Sequence, residues 1–128
     1  MRDLTHNIGP AETIRPAVLT ATTTGEPVDL LGFESATAIV QTGAVAGSGD
    51  FTPTLHHSDA SGSGFEAVTD TDLVGTWPAT LAENSVYRVG YTGAKRYLKV
   101  VLTKNSGTSV AASSVIVRGH PNVAPVAA

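Results

Sequence analysis

Between Val86 and Thr103 the chain reads VYRVGYTGAKRYLKVVLT, and no other stretch restricts the possible fold so strongly. Tyr87, Val89 and Tyr91 alternate with Arg88 and Gly90. Leu98, Val100 and Leu102 then alternate with Tyr97, Lys99, Val101 and Thr103. β-Branched and aromatic residues at period two mark half-buried strands. Thr92-Gly93-Ala94-Lys95 interrupts the alternation, so the pattern predicts a β-hairpin, with Gly93 supplying a positive φ in its loop. In the second strand, Leu98, Val100 and Leu102 are expected to face inward, and Lys99 and Thr103 outward.

The other elements are shorter. Residues 1–15 contain Gly9-Pro10 and scattered Leu4, Ile8 and Ile14, a composition that predicts an extended N-terminal arm. Deleting residues 1–14 should then leave the domain folded. Strands are expected over residues 17–23, 28–33, 35–42 and 51–57. Pro53 confines the last of these to a sheet edge or a bulge. Residues 43–50 and 58–64, rich in glycine and small residues, predict loops. Residues 65–68 and 72–74 predict short extended pieces, residues 78–84 one helical turn, and residues 110–118 a last strand. About seven or eight strands without a long helix define an all-β single domain, a β-sandwich or jelly roll. Its expected boundaries are an arm at 1–15, a sandwich at 16–121 and a tail at 122–128.

Composition supports one core. Leu, Ile, Val and Phe supply 31 of the 128 residues, enough for a chain of this length to fold without cross-links. There is no cysteine, which excludes disulfides and thiolate chemistry. No apolar run reaches the ~20 residues of a membrane helix. The polar N-terminus does not read as a signal peptide, so the expected site of synthesis is a cytosol. Charged residues make up only 15% of the chain, which suggests a surface that a partner covers in part or one rich in threonine.

The charges are segregated. Residues 1–83 hold all 11 acids and only Arg2 and Arg15, a balance of −9. Residues 84–128 hold six bases (Arg88, Lys95, Arg96, Lys99, Lys104 and Arg118) and no acid, a balance of +6. Such halves can be complementary within one fold or between neighbouring subunits. Without further base-stacking aromatics the basic half does not define a nucleic-acid surface.

No stretch carries a catalytic or metal motif. His56 and His57 are adjacent on a strand and point to opposite faces, so they do not share an ion without a bulge. An enzyme would need His57, Asp59, Asp70 and Asp72 to converge. Asp70, Asp72 and Glu66 are too few oxygens for a hard cation, and no cofactor is expected. Tyr97, Arg88 and Lys99 are candidates for a docking face, since Tyr and Arg are enriched at interface hot spots. Leu4, Ile8 and Ile14 are candidates for anchors that tie the arm to a neighbour.

The run GYTGAKRY (Gly90–Tyr97), the apolar strand after it and the late Gly119-His120-Pro121 resemble small capsid decoration, or cement, proteins of tailed bacteriophages. The resemblance takes in Val28-Asp29-Leu30-Leu31-Gly32 and spans roughly residues 15–121. It implies a β-sandwich on the outside of an icosahedral virion, bound to the major capsid protein as a homo-oligomer, a dimer or trimer, with no nucleic acid or membrane partner. The alternatives are another virion part, such as a head–tail or tail protein, and a carbohydrate- or ligand-binding sandwich using loops 43–50 and 58–64.

Overall fold

The computed structural model describes residues 1–127. They form an all-β sandwich of two antiparallel sheets, with strands β1 (Ile8–Leu19), β2 (Thr23–Thr24), β3 (Val28–Asp29), β4 (Phe33–Ala46), β5 (Asp50–Ser58), β6 (Glu66–Ala67), β7 (Leu73–Val74), β8 (Val86–Tyr91), β9 (Tyr97–Ser106) and β10 (Ser109–Pro121). The first sheet has the order β1-β10-β4-β8-β7. The second has the order β2-β9-β5-β6, with β3 also pairing with β9. Single 3-10 turns lie at Thr5–Asn7 and Asp70–Asp72.

The alternation in β9 works as expected. Leu98, Val100 and Leu102 are wholly buried, with Phe51 and Leu55 of β5 beside them and Val40, Val89 and Ile116 of the first sheet opposite. Thr103 is exposed and Lys99 half-buried. Pro53 lies where β5 has only β9 beside it, because β6 pairs no further than His56 and His57. A missing N–H therefore costs the ladder nothing there.

The expected hairpin is not one. β8 pairs with β4 and β7 in the first sheet, and β9 pairs with β2, β3 and β5 in the second. Residues 92–96 thus carry the chain across the sandwich as an arch, and the apolar faces of β8 and β9 meet through the core. Two alternating runs joined by a short polar loop look the same in sequence either way. Gly93 is needed for a different reason from the one expected. It does not have positive φ; a Cβ there would overlap the ring of Tyr91, which folds back beneath the arch.

The N-terminal arm is also corrected. Residues 8–15 belong to β1, which pairs along β10 from Ile8↔Gly119 to Leu19↔Val110. Register shifts between Glu12 and Ile14 and between Ile14 and Ala17 break the alternation that would have identified a strand. Pro10 and Pro16 are tolerated because β1 is an edge. Thr13 and Ile14 are buried. Thr13 Oγ1 donates to the Glu26 carbonyl at 2.9 Å and accepts the Val100 N–H at 3.3 Å, which fastens the edge strand to the opposite sheet.

Smaller differences follow the same logic. β4 runs on to Ala46, and Gly47 and Ser48, both at positive φ, turn the chain before β5. Residues 78–84 form no helical turn. They lie along the open side of β5, where the Leu81 N–H donates to the Phe51 carbonyl at 3.0 Å and Leu81 enters the core.

Candidate functional site

The GYTGAKRY run closes one end of the sandwich. Tyr91 is the last residue of β8, and its ring is buried beneath the arch. Its hydroxyl accepts the Lys95 N–H at 3.0 Å and lies 2.8 Å from Nδ1 of His57 on β5. The two rings meet edge-on, with centroids 5.6 Å apart. One hydroxyl therefore joins the first sheet, the arch and the second sheet. Burial raises the Tyr91 pKa, so the phenol stays protonated.

The bases beside it are held by acids from the first half of the chain. Arg96 forks onto Asp29, Nε to Oδ1 at 2.9 Å and Nη2 to Oδ2 at 2.8 Å. This hydrogen-bonded guanidinium lowers the Asp29 carboxyl to about 2. Lys95 Nζ meets Asp59 Oδ2 at 2.9 Å, and that hydrogen bond raises the Lys95 pKa. Arg118 donates to the carbonyls of Gly9 and Asp29 at 2.8 and 3.0 Å and lies over the Phe33 ring. His120 Nδ1 lies 2.7 Å from Ser35 Oγ. Charge segregation along the sequence is thus used in part inside the fold.

The interface candidates separate. Ile14 is in the core and offers nothing to a neighbour, and Ile8 is half-buried in β1. Leu4 is 65% exposed ahead of the first 3-10 turn. Tyr97 and Lys99 lie on the outer face of the second sheet, where Lys99 Nζ sits 4.0 Å from the Phe65 ring centroid and Arg96 lies over Tyr97. Arg88 is exposed on the outer face of the first sheet, with no ion-pair partner among the described residues.

The polar clusters take structural places. His57 points inward to Tyr91, and His56 points outward, with Nε2 3.2 Å from Thr54 Oγ1. Burial, then Lys99 and His57, lowers the His56 pKa. Among the described residues no three His, Asp or Glu side chains are grouped to hold a metal ion. Of the two expected loops, residues 47–49 and 59–64 lie outside the strands; they sit at opposite ends of β5, roughly 27 Å apart at strand rise, and do not form one binding site. A groove of about 560 Å³ opens beside the arch, between residues 30–36 and 91–96. Among the described residues no helix is long and apolar enough to cross a membrane.

Sequence reasoning missed the outer face of the first sheet. Val115 and Val117 of β10, Ile39 of β4, Val18 of β1, Val74 of β7 and Val86 of β8 all point away from the core. Val18, Val74 and Val86 are 67%, 61% and 66% exposed. The signal was in β10, whose SVAASSVIV contains no charge on either face; strands covered on both faces read this way.

No family model and no curated protein matches the chain. Among solved structures it is similar to the SPBc2 prophage-derived protein YomS, at 18% identity and a TM-score of 0.47 over 86% of this chain and 94% of that one. It is also similar to a chain of infectious bursal disease virus, Gx strain, at 12% identity and a TM-score of 0.43 over 86% of this chain and 31% of that one. Neither likeness is close enough to carry a role over to this chain.

Proposed function

We propose that this chain is a structural virion protein that binds the outside of a phage capsid. There it meets the major capsid protein and, as a small homo-oligomer, stabilises contacts between capsomers without catalysing a reaction. The observation that carries this reading is the use made of the GYTGAKRY run, the part of the sequence that resembles decoration proteins. Tyr91 joins both sheets and the arch, Gly93 makes room for its ring, and Lys95 and Arg96 are fastened to Asp59 and Asp29. The side chains that give the resemblance hold an end of the sandwich together, as a scaffold protein requires. Exposed Leu4 and the Tyr97–Lys99 side of the second sheet are the surfaces this reading offers to the shell.

The test is co-sedimentation of purified protein with empty shells assembled from the capsid protein encoded beside it. Saturable binding at a fixed ratio to capsomers, with a rise in the shell's melting temperature, is the expected result. Shells that sediment without the protein at tens of micromolar would refute the reading.

A further inference from the structure

We propose that the outer face of the β1-β10-β4-β8-β7 sheet docks onto the same face of a second copy, about a two-fold axis parallel to the strands. This deepens the reading of the chain as an assembling protein and rests on it only for the expectation that copies meet.

The face carries Ile39, Val115 and Val117 in its middle, with Thr37, Gln41 and Ser113 beside them, and charges at its borders. Register places Glu12 beside Val115, Val115 beside Ile39, and Ile39 beside Arg88, in one row across four strands. The row therefore begins with an acid on β1 and ends with a base on β8, roughly 14 Å away at strand spacing. Glu12 also meets Arg15 through Oε1 at 3.1 Å. That exposed pair holds little energy and leaves the carboxylate able to take a second base.

Rotation by 180° about an axis along the strands turns the face over and exchanges its two borders. Glu12 then stands opposite Arg88 of the second copy, and Arg88 opposite that copy's Glu12. Both charged borders are satisfied by one operation, and Val115 and Ile39 of the two copies meet at the centre. A two-fold across the strands would instead set Glu12 against Glu12 and Arg88 against Arg88, so charge selects the axis. That axis also keeps the strands of the two copies aligned, as stacked sheets prefer. A shallow depression lies at the β-bulge end of the face, lined in part by Val18, Gly43, Ala111 and Ser113. The same rotation carries Val86 of the second copy over it, beside Val18.

Area sets the strength. Four strands of about seven residues project roughly 450 Å² per copy, or about 900 Å² for the pair before side-chain relief is counted. That lies near the lower bound for a specific interface, so the dimer should be concentration-dependent, with a Kd in the micromolar range rather than the nanomolar.

Sedimentation equilibrium of the full chain tests this. The wild type should dimerise, and Val115→Asp should weaken the dimer at least about 100-fold by placing two carboxylates at the centre. Glu12→Arg and Arg88→Glu should each weaken it about tenfold, and the double reversal should return it to within about threefold of wild type. Both border residues are exposed, so these variants decide the matter even if Val115→Asp does not fold. A chain monomeric at millimolar concentration, or a dimer indifferent to all four variants, overturns the proposal. So does a monomer that loses shell binding on Val115→Asp, since the occupant is then the shell. A dimer that ignores shells leaves the proposal standing and removes the virion reading.

Discussion

Replacing Tyr91 by Phe removes a single oxygen and keeps the ring, so it isolates the clasp from core packing. The lost atom is bonded to His57 Nδ1 and to the Lys95 N–H. His57 is 7% exposed, so its Nδ1 has little access to replacement water. Leaving such a group unpaired costs about 1–3 kcal/mol. The Lys95 N–H, nearer the surface, adds at most about 1 kcal/mol. A total of about 1–4 kcal/mol follows. With a urea m-value of about 1.5–2 kcal/mol/M for a domain of this size, the midpoint should fall by about 0.5–2.5 M. Tyr87→Phe is the control: its hydroxyl accepts the Ala82 N–H at 3.0 Å near the surface, and its loss should cost under about 1 kcal/mol. A cycle with His57→Leu should show coupling of at least about 1 kcal/mol. A Tyr91→Phe midpoint within about 0.3 M of wild type, or strict additivity in the cycle, would show that the hydroxyl does not join the sheets.

Truncation separates the true arm from the strand: removing residues 1–7 should leave the melting curve nearly unchanged, whereas removing 1–14 should unfold the domain by circular dichroism, because Thr13 and Ile14 go with it. Ile14→Ala alone should cost about 2–5 kcal/mol in urea denaturation. Gly93→Ala should cost about 1–3 kcal/mol although its φ is ordinary, since the added methyl meets the Tyr91 ring; a neutral result would show that the arch has slack. Asp29 has a depressed carboxyl, so its contribution is complete above the unfolded value near 3.8 and fades as pH falls towards about 2. Asp29→Asn should therefore lose stability relative to wild type at pH 6 and little at pH 2; both side chains are more than a third exposed, so the gap should stay under about 1 kcal/mol.

What the sequence disclosed and what it hid divide along one physical line. Period two reports which face of a strand is buried, and it placed Leu98, Val100 and Leu102 inward; the missing N–H of Pro53 restricted that residue to an edge or a bulge, and β5 has an open side there. It does not report which sheet a strand joins, so the arch at 92–96 passed for a hairpin. Nor does it survive bulges, which is why β1 with Pro10, Pro16 and two register shifts passed for an arm. Tyr91 was legible as an inward residue. Its meeting with His57, 34 residues away in sequence, depends on two sheets facing each other and leaves no local trace. The apolar outer face was legible in principle, in the chargeless run through β10, but only once a sheet had assigned those residues to two sides.

The position of β10 governs when this chain can fold. It is the last strand among the described residues, yet it lies between β1 and β4, bonded to both along most of its length. Until Ser109–Pro121 has left the ribosome, β1 and β4 have no common neighbour and their inner faces stay open to water. The arch removes the local nucleus that a hairpin at 86–103 would have offered. The first sheet must therefore close by pairing strands as far apart in sequence as Ile8 and Gly119, an expensive contact in loop entropy. Folding should wait for β10 and take milliseconds to seconds, as in other β topologies dominated by distant pairings. Nascent chains stalled before β10 should be protease-sensitive throughout, with β1 and β4 protected together only once that strand is present.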